Sequence, residues 1–244
     1  MKPEIKVTKE SSARERLSCT VEDALRAATA MGRVMLTANA QGATHERIGA
    51  IEAVSSEGHA LRLSGAAHDA AIDPATIESV VADRTGRMKD KALPRLEFLG
   101  ADGAALFSLI CLDGLEPFDA AMKPLGAGAA LPEKEKPAPG EPATLADDDQ
   151  GAAPFTRAAA SGEPLTISLR RDGLVQRWTG VVQVVKPAMG FINIITPDFH
   201  LHLRGGAVAG WTRVGNDRDA TLHAVNGDGG AIGLELSGPA ARHG

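Results

Sequence analysis

The chain has 244 residues, a formal net charge of −5, 43% hydrophobic and 23% charged residues, which is typical of a soluble protein with one large or two small domains. Aromatic residues make up only 3% and tyrosine is absent, which argues against stacking on nucleic-acid bases, and the negative charge argues against phosphate-backbone partners. No apolar run is long enough to span a membrane, and Cys19 and Cys111 are not in a metal-binding spacing. We therefore expect a cytoplasmic protein without membrane or nucleic-acid partners.

The N-terminal half predicts a polar tail, one helix and a series of strands. Residues 1 to about 18 are polar, and we expect them to be frayed. A helix is predicted after Thr20, which forms a capping-box pattern with Asp23, and its apolar stripe extends to Met35. Strands are predicted over residues 48–54 and 59–63. Residues 93–99 and 104–112 form a predicted hairpin around an Asp-Gly turn.

Residues 126–153 differ in composition from the rest of the chain. They are rich in proline and charge and nearly devoid of large apolar residues, so they predict a semi-extended linker. A short helix is predicted over residues 155–161, and the strands of the second half begin at Leu165. The linker separates two structured parts of the chain.

The run from 190 to 211 has the clearest pattern of the second half. It predicts strands over residues 191–195 and 199–204, joined by a turn at Pro197. Strict alternation in the second strand puts His200, His202 and Arg204 on one face. Such a row suits a metal, a propionate or a haem, or it is the solvated face of a sheet. No acid or thiolate is close in sequence, so no metal site is predicted.

An internal repeat relates the two halves. Gly49 and Gly180 match at an offset of 131 together with several apolar positions, and Asp102 and Asp228 match at an offset of 126. The repeat predicts an α+β protein that uses one supersecondary unit twice. We divide the chain into an N-terminal repeat at 1–125, the linker at 126–153 and a C-terminal repeat at 154–244.

Three segments carry a resemblance to a known family. Residues 31–54 resemble the N-terminal repeat of the haemin-degrading HemS/ChuX-type proteins, and residues 171–182 and 191–211 resemble their C-terminal repeat. The duplication, the Pro/Glu-rich linker and the closing Asp-Gly hairpin agree with that family. The resemblance implies an α+β fold of two similar halves, each with a large antiparallel sheet and short flanking helices. It also implies a cytoplasmic protein that binds haem taken up by bacteria and traffics or degrades it.

The resemblance also implies residues that contact haem. The family's axial histidine comes from a helical block after the linker, but this chain has no histidine between His68 and His200, so the axial ligand is carried over to no position. The predicted cofactor-binding residues are His200, His202, Arg204, Arg95 and Gln176. The two arginines are expected to bind carboxylates, since a guanidinium fits a propionate. Gln176 matches a glutamine of the family.

The leading functional hypothesis is therefore a haem-binding and haem-trafficking protein of bacterial haem utilisation. We favour a binding protein over an enzyme. If the protein is an enzyme, its expected activity is oxidative opening of the porphyrin. The alternative is a structural or interaction module of the same fold that binds no haem and pairs as a homodimer. The shortened helical regions motivate that alternative, because they should leave apolar sheet surface uncovered.

Overall fold

Two large antiparallel sheets form the body of the protein, which is known from a computed structural model that describes residues 12–134, 143–216 and 219–243. Short helices flank the sheets, so the predicted α+β class is confirmed. The expected frayed tail over residues 1–11 and the linker residues 135–142 lie outside the described residues. None of the described helices is long and apolar enough to cross a membrane.

The described α-helices are α1 (Val21–Ala28), α2 (Leu115–Met122) and α3 (Ala153–Ser161). The predicted capping box begins α1: the Thr20 hydroxyl accepts from the Asp23 amide at 3.1 Å, and the Asp23 carboxylate accepts from the Thr20 amide at 3.2 Å. The expected extension of this helix to Met35 is wrong, because Met35 lies in a strand. Gly32, with φ of 73°, turns the chain before that strand begins.

The N-terminal repeat and the start of the linker supply twelve strands. They are β1 (Arg14–Arg16), β2 (Val34–Ala40), β3 (Ala43–Gly49), β4 (Ala53–Glu57), β5 (Ala60–Ser64), β6 (Asp69–Ile72), β7 (Ser79–Asp83), β8 (Arg87–Met88), β9 (Lys91–Ala92), β10 (Arg95–Leu99), β11 (Ala105–Cys111) and β12 (Ala129–Ala130). Two expectations are corrected here. Part of the tail forms β1, held by pairing with β7 and β12, and residues 48–54 are the end of β3 and the start of β4 rather than one strand.

The C-terminal repeat supplies eight strands. They are β13 (Pro164–Arg171), β14 (Leu174–Val181), β15 (Lys186–Ala188), β16 (Phe191–Ile195), β17 (Phe199–Arg204), β18 (Gly210–Val214), β19 (Thr221–Val225) and β20 (Ala231–Ser237). The strands predicted over 191–195 and 199–204 are β16 and β17, and they pair as expected. The described 3-10 helices are Pro74–Thr76, Lys123–Leu125 and Pro239–His243.

Each sheet contains strands from both repeats. The ten-stranded sheet has the order β12-β1-β7-β10-β11-β2-β3-β17-β16-β15, and the eight-stranded sheet has the order β18-β19-β20-β13-β14-β6-β5-β4. The meander β15–β17 of the second repeat therefore pairs with β3 of the first, and the meander β4–β6 of the first pairs with β14 of the second. The sheets do not divide the chain at the linker, and the domain boundaries stay a prediction.

The matched glycines Gly49 and Gly180 lie where the chain leaves one sheet for the other. Gly49 ends β3, and a Cβ there would collide with Ala67. Gly180 is near the end of β14, and a Cβ there would collide with the ring of Trp178. The crossing therefore needs a residue without a side chain in both repeats.

A reciprocal pair of hydrogen bonds joins the two sheets in the core. His45 in β3 and Gln176 in β14, 131 positions apart, are both fully buried, and the Gln176 amide donates to Nδ1 of His45 at 2.7 Å. Nε2 of His45 then donates to the carbonyl of Ile167 at 3.1 Å, and the Gln176 amide also donates to the carbonyl of Leu36 at 3.3 Å. Leu36 and Ile167 are themselves 131 positions apart, so each repeat binds the other through equivalent atoms.

Aromatic packing surrounds this pair. The ring of Phe199 stacks on Trp178 with centroids 4.6 Å apart and lies 4.8 Å from the imidazole of His45. Phe199 has no exposed surface and Trp178 retains only 5% exposure. This burial lowers the pKa of His45 from 6.5 to about 3, so the ring is neutral and its two nitrogens have fixed roles as donor and acceptor.

Replacing Gln176 with leucine should destabilise the protein strongly. The variant leaves Nδ1 of His45 and the Leu36 carbonyl buried without their donor, which should lower the free energy of unfolding by about 2–4 kcal/mol. Urea unfolding followed by circular dichroism measures the change. Gln183→Leu, at an exposed position, is the control and should change the stability by less than about 0.5 kcal/mol. Equal stability of both variants would contradict the role assigned to Gln176.

Stability should also fall in mild acid because of His68. Burial lowers the pKa of this ring, whose Nε2 lies 3.1 Å from the Gly49 carbonyl, so below about pH 6.5 the unfolded chain binds a proton that the folded protein does not. His68 therefore leaves the free energy of unfolding unchanged above about pH 6.5 and lowers it as the pH falls below about 6.5. In His68→Gln the loss of unfolding free energy between pH 7.5 and pH 5 should be smaller than in the parent, by at most about 1.4 kcal/mol per pH unit. Urea midpoints at the two pH values test this, and an identical pH dependence would refute it.

Candidate functional site

A group of three side chains whose ligand atoms lie close together is found on the outward face of the ten-stranded sheet, where the two repeats meet. The antiparallel register of β3 and β17 puts Glu46 directly opposite His200, and His202 is one pleat further along β17. Side chains of directly opposite and diagonal residues reach one another across adjacent strands. We call Glu46, His200 and His202 the Glu-His-His cluster.

The cluster is compact and open to solvent. Nδ1 of His200 lies 3.2 Å from Oε2 of Glu46, and Nε2 of His202 lies 3.8 Å from the same oxygen. One ligand atom from each residue lies within 4.8 Å of the others. The exposed fractions of the His200, His202 and Glu46 side chains are 28%, 33% and 15%, so a ligand can reach them.

Asn193 in β16 fixes the orientation of His202. Its amide nitrogen donates to the carbonyls of Lys186 at 3.0 Å and Phe191 at 3.1 Å, so its oxygen faces the imidazole. Nδ1 of His202 is 2.6 Å from that oxygen and must be the donor, because an amide oxygen only accepts. The neutral ring of His202 therefore carries its lone pair on Nε2, on the side of Glu46.

Burial lowers the pKa of His202, and the neighbouring His200 lowers it further, while Glu46 acts in the opposite direction. The balance favours the neutral imidazole near pH 7. A neutral imidazole beside a carboxylate can ligate a metal ion or accept a proton. The cluster thus offers two nitrogen donors and one oxygen donor on one sheet face.

The two predicted arginines lie at different places on the ten-stranded sheet. Arg204 is exposed at the end of β17, two residues after His202, as the alternation predicts. Arg95 is in β10, which is separated from β17 by β11, β2 and β3. Four strand spacings amount to about 19 Å, so the structure does not bring Arg95 to the histidines. Arg95 instead pairs in register with Asp83 of β7 and Ile110 of β11.

Gln176, the remaining predicted contact residue, lies in the interior. Its side chain has no exposed surface and is hydrogen bonded to His45. It is in β14 of the eight-stranded sheet, whereas His200, His202 and Arg204 are in the ten-stranded sheet. The predicted contact residues are therefore spread over three places, and only His200, His202 and Arg204 lie side by side.

A cavity of about 540 Å³ lies between the linker and the β15–β16 hairpin. Its lining is mostly small and apolar, and the polar groups that it offers are hydroxyls and carboxylates, among them Thr156 and Asp149. Asp149 is occupied by backbone amides, since it accepts from Gly206 at 2.7 Å and from Gly151 at 2.8 Å. The described residues that line this cavity include no imidazole, thiol or thioether, so its donor set does not suit haem iron.

Sequence reasoning missed Glu46 and Asn193. Glu46 is 154 positions from His200, and only the pairing of β3 with β17 brings the two together. Residues 44–47 are all polar, so no alternation in the sequence indicates which face Glu46 occupies, and nothing identifies the strand beside it. Asn193 is at its expected place in β16, opposite His202, yet the sequence gives no sign that its amide orients the imidazole.

Comparisons with known proteins agree with this fold. Residues 4–114 match the model of the family described as "Haemin-degrading HemS.ChuX domain". The fold is similar to ChuS, an Escherichia coli heme oxygenase, with a TM-score of 0.75 and 20% identity over 93% of this chain and 83% of that chain. It is also similar to holo-PhuS, a heme-binding protein from Pseudomonas aeruginosa, with a TM-score of 0.74 and 19% identity over 93% of this chain and 82% of that chain. No curated protein matches the sequence.

Proposed function

We propose that the chain is a member of the haemin-degrading HemS/ChuX family, binds haem and serves haem utilisation in the cytoplasm. The observation that carries this proposal is the family's domain in residues 4–114. The fold, which is common to a heme oxygenase and a heme-binding protein, supports it.

His200 is our candidate for the haem ligand. Imidazole is a common axial ligand of haem iron, and this ring is partly exposed on the open face of the sheet. When Nδ1 of His200 donates to Glu46, Nε2 carries the lone pair, and the carboxylate makes the ring a stronger donor. Arg204, on the same face of β17, is suited to a propionate. Haem itself would supply the iron centre for storage, delivery or oxidation.

Titration with haem should give a saturable shift of the Soret band at micromolar haem, with about one haem per chain. His200→Ala should weaken the affinity by about tenfold or more, because it removes the axial nitrogen. His59→Ala, at an exposed turn between β4 and β5, is the matched control and should bind haem as the parent does. No saturable Soret change in the parent would overturn haem binding, and an unchanged affinity of His200→Ala would overturn His200 as the ligand.

Self-association is a second candidate function, and exposed apolar residues at the β15 edge favour it. Val184, Ile195 and Met189 are 54%, 54% and 93% exposed, and they lie on or next to the last two strands of the ten-stranded sheet. An edge strand with apolar neighbours is a template for pairing with a second copy. The homodimer stays a prediction.

Sedimentation equilibrium tests this candidate directly. The parent should show a dimer at high micromolar concentration, and Ile195→Lys should shift the equilibrium to the monomer, since a charge would be buried in the interface. Met88→Lys is the matched control: Met88 is 61% exposed on the β8–β9 hairpin, which connects β7 and β10 at the other end of the ten-stranded sheet, and the substitution should leave the mass unchanged. A monomeric parent over the whole concentration range would refute the dimer.

A further inference from the structure

We propose that Glu46, His200 and His202 form a binding site for a divalent transition-metal ion of the zinc class. The site shares His200 with the proposed haem function but does not rest on that function, because it needs no porphyrin. It takes one ion per chain. Both repeats contribute to it, Glu46 from the first and the two histidines from the second.

The strands hold two of the three donor pairs at separations close to those that zinc needs, and one ligand atom of each residue lies within 4.8 Å of the others. Zinc binds imidazole nitrogen and carboxylate oxygen at about 2.0–2.2 Å, which places its tetrahedral ligands about 3.3 Å apart. The distance from Oε2 of Glu46 to Nδ1 of His200 is 3.2 Å, and that to Nε2 of His202 is 3.8 Å. Small side-chain rotations would bring all three donors onto one ion. The strand register needs no change.

Neighbouring residues orient the donors. Asn193 holds the proton of His202 on Nδ1, which leaves Nε2 as the metal-binding nitrogen. The hydroxyl of Thr37 in β2 lies 3.4 Å from Oε1 of Glu46, so the other carboxylate oxygen, Oε2, faces the imidazoles. A ligating histidine whose second nitrogen is fixed by an acceptor is a regular feature of metal sites in proteins.

The donor set selects the class of ion. Two imidazoles and one carboxylate suit zinc and its neighbours cobalt, nickel and copper, whereas magnesium and calcium prefer oxygen ligands. Three protein donors leave at least one coordination position for water, which is the arrangement of catalytic rather than structural zinc sites. The partial exposure of all three side chains keeps that position open to solvent.

The metal and haem would use different nitrogens of His200. The divalent ion takes Nδ1, which faces Glu46, while haem iron would take Nε2 and leave the Nδ1 contact with Glu46 intact. Glu46 is therefore a ligand for the divalent ion but only a hydrogen-bond partner in the haem complex. Removing its charge separates the two functions.

Calorimetric titration of untagged, metal-stripped full-length protein with Zn²⁺ tests the site. We expect saturation at one Zn²⁺ per chain, and a visible d–d absorption of tetrahedral or five-coordinate type when Co²⁺ replaces Zn²⁺. Glu46→Gln and His202→Ala should each weaken Zn²⁺ binding by about tenfold or more. Glu46→Gln should retain the Soret response to haem, because glutamine still offers an oxygen to Nδ1 of His200.

The matched control is His223→Ala. His223 lies 3.6 Å from Glu235 on the eight-stranded sheet but has no second imidazole beside it among the described residues, so Zn²⁺ affinity should not change. Absence of saturable Zn²⁺ and Co²⁺ binding, or unchanged affinity in folded Glu46→Gln and His202→Ala, would overturn the metal site. Saturable Zn²⁺ binding without a Soret response would support this site and overturn the proposed haem function. A Soret response without Zn²⁺ binding would overturn this site and support the haem function.

Discussion

The contact between His45 and Gln176 is the constraint on which the rest of the structure depends. These two residues are equivalent in the repeats, and each reaches the backbone of the other repeat through a buried hydrogen bond. Because such groups are costly to leave unpaired in the core, they allow only one arrangement of the two sheets. That arrangement places each meander beside a strand of the other repeat, and it thereby fixes the register of β17 against β3. The Glu-His-His cluster on the outward face of β3 thus depends on the hydrogen bond of His45 on the inward face of that strand.

The repeat has diverged in chemistry while its geometry has been kept. The positions equivalent to Glu46 and His200 in the eight-stranded sheet are Arg177 and Asp69, whose side chains form an ion pair at 3.8 Å. One pair of backbone positions therefore carries a cation and an anion on one sheet, and a carboxylate and an imidazole on the other. A partly exposed ion pair of this kind contributes little to stability. The contrast is consistent with a ligand-binding role for the histidine side alone.

The local pattern of the sequence predicts much of this fold. Alternation correctly places β16 and β17, the capping box begins α1, and the offsets of 131 and 126 identify equivalent strands. What the sequence does not reveal is pairing between distant strands. Each repeat taken alone is compatible with a sheet of its own, whereas in the structure β17 pairs with β3, β14 pairs with β6, and Gln176 bonds to His45 across the repeats. The sequence does not reveal Glu46 for that reason, and it places Gln176 among the ligand contacts because the burial of Gln176 cannot be read from its own strand.

The exchange of meanders has a consequence for synthesis of the protein on the ribosome. When the first repeat has emerged, β3 and β6 each present an edge whose partner, β17 or β14, has not yet been made. Neither sheet can close until the second repeat is complete, so the nascent chain carries two open edges across the whole linker. Such edges pair readily with other chains. The order of synthesis therefore leaves the first repeat with two unpaired inner strands that only the second repeat completes.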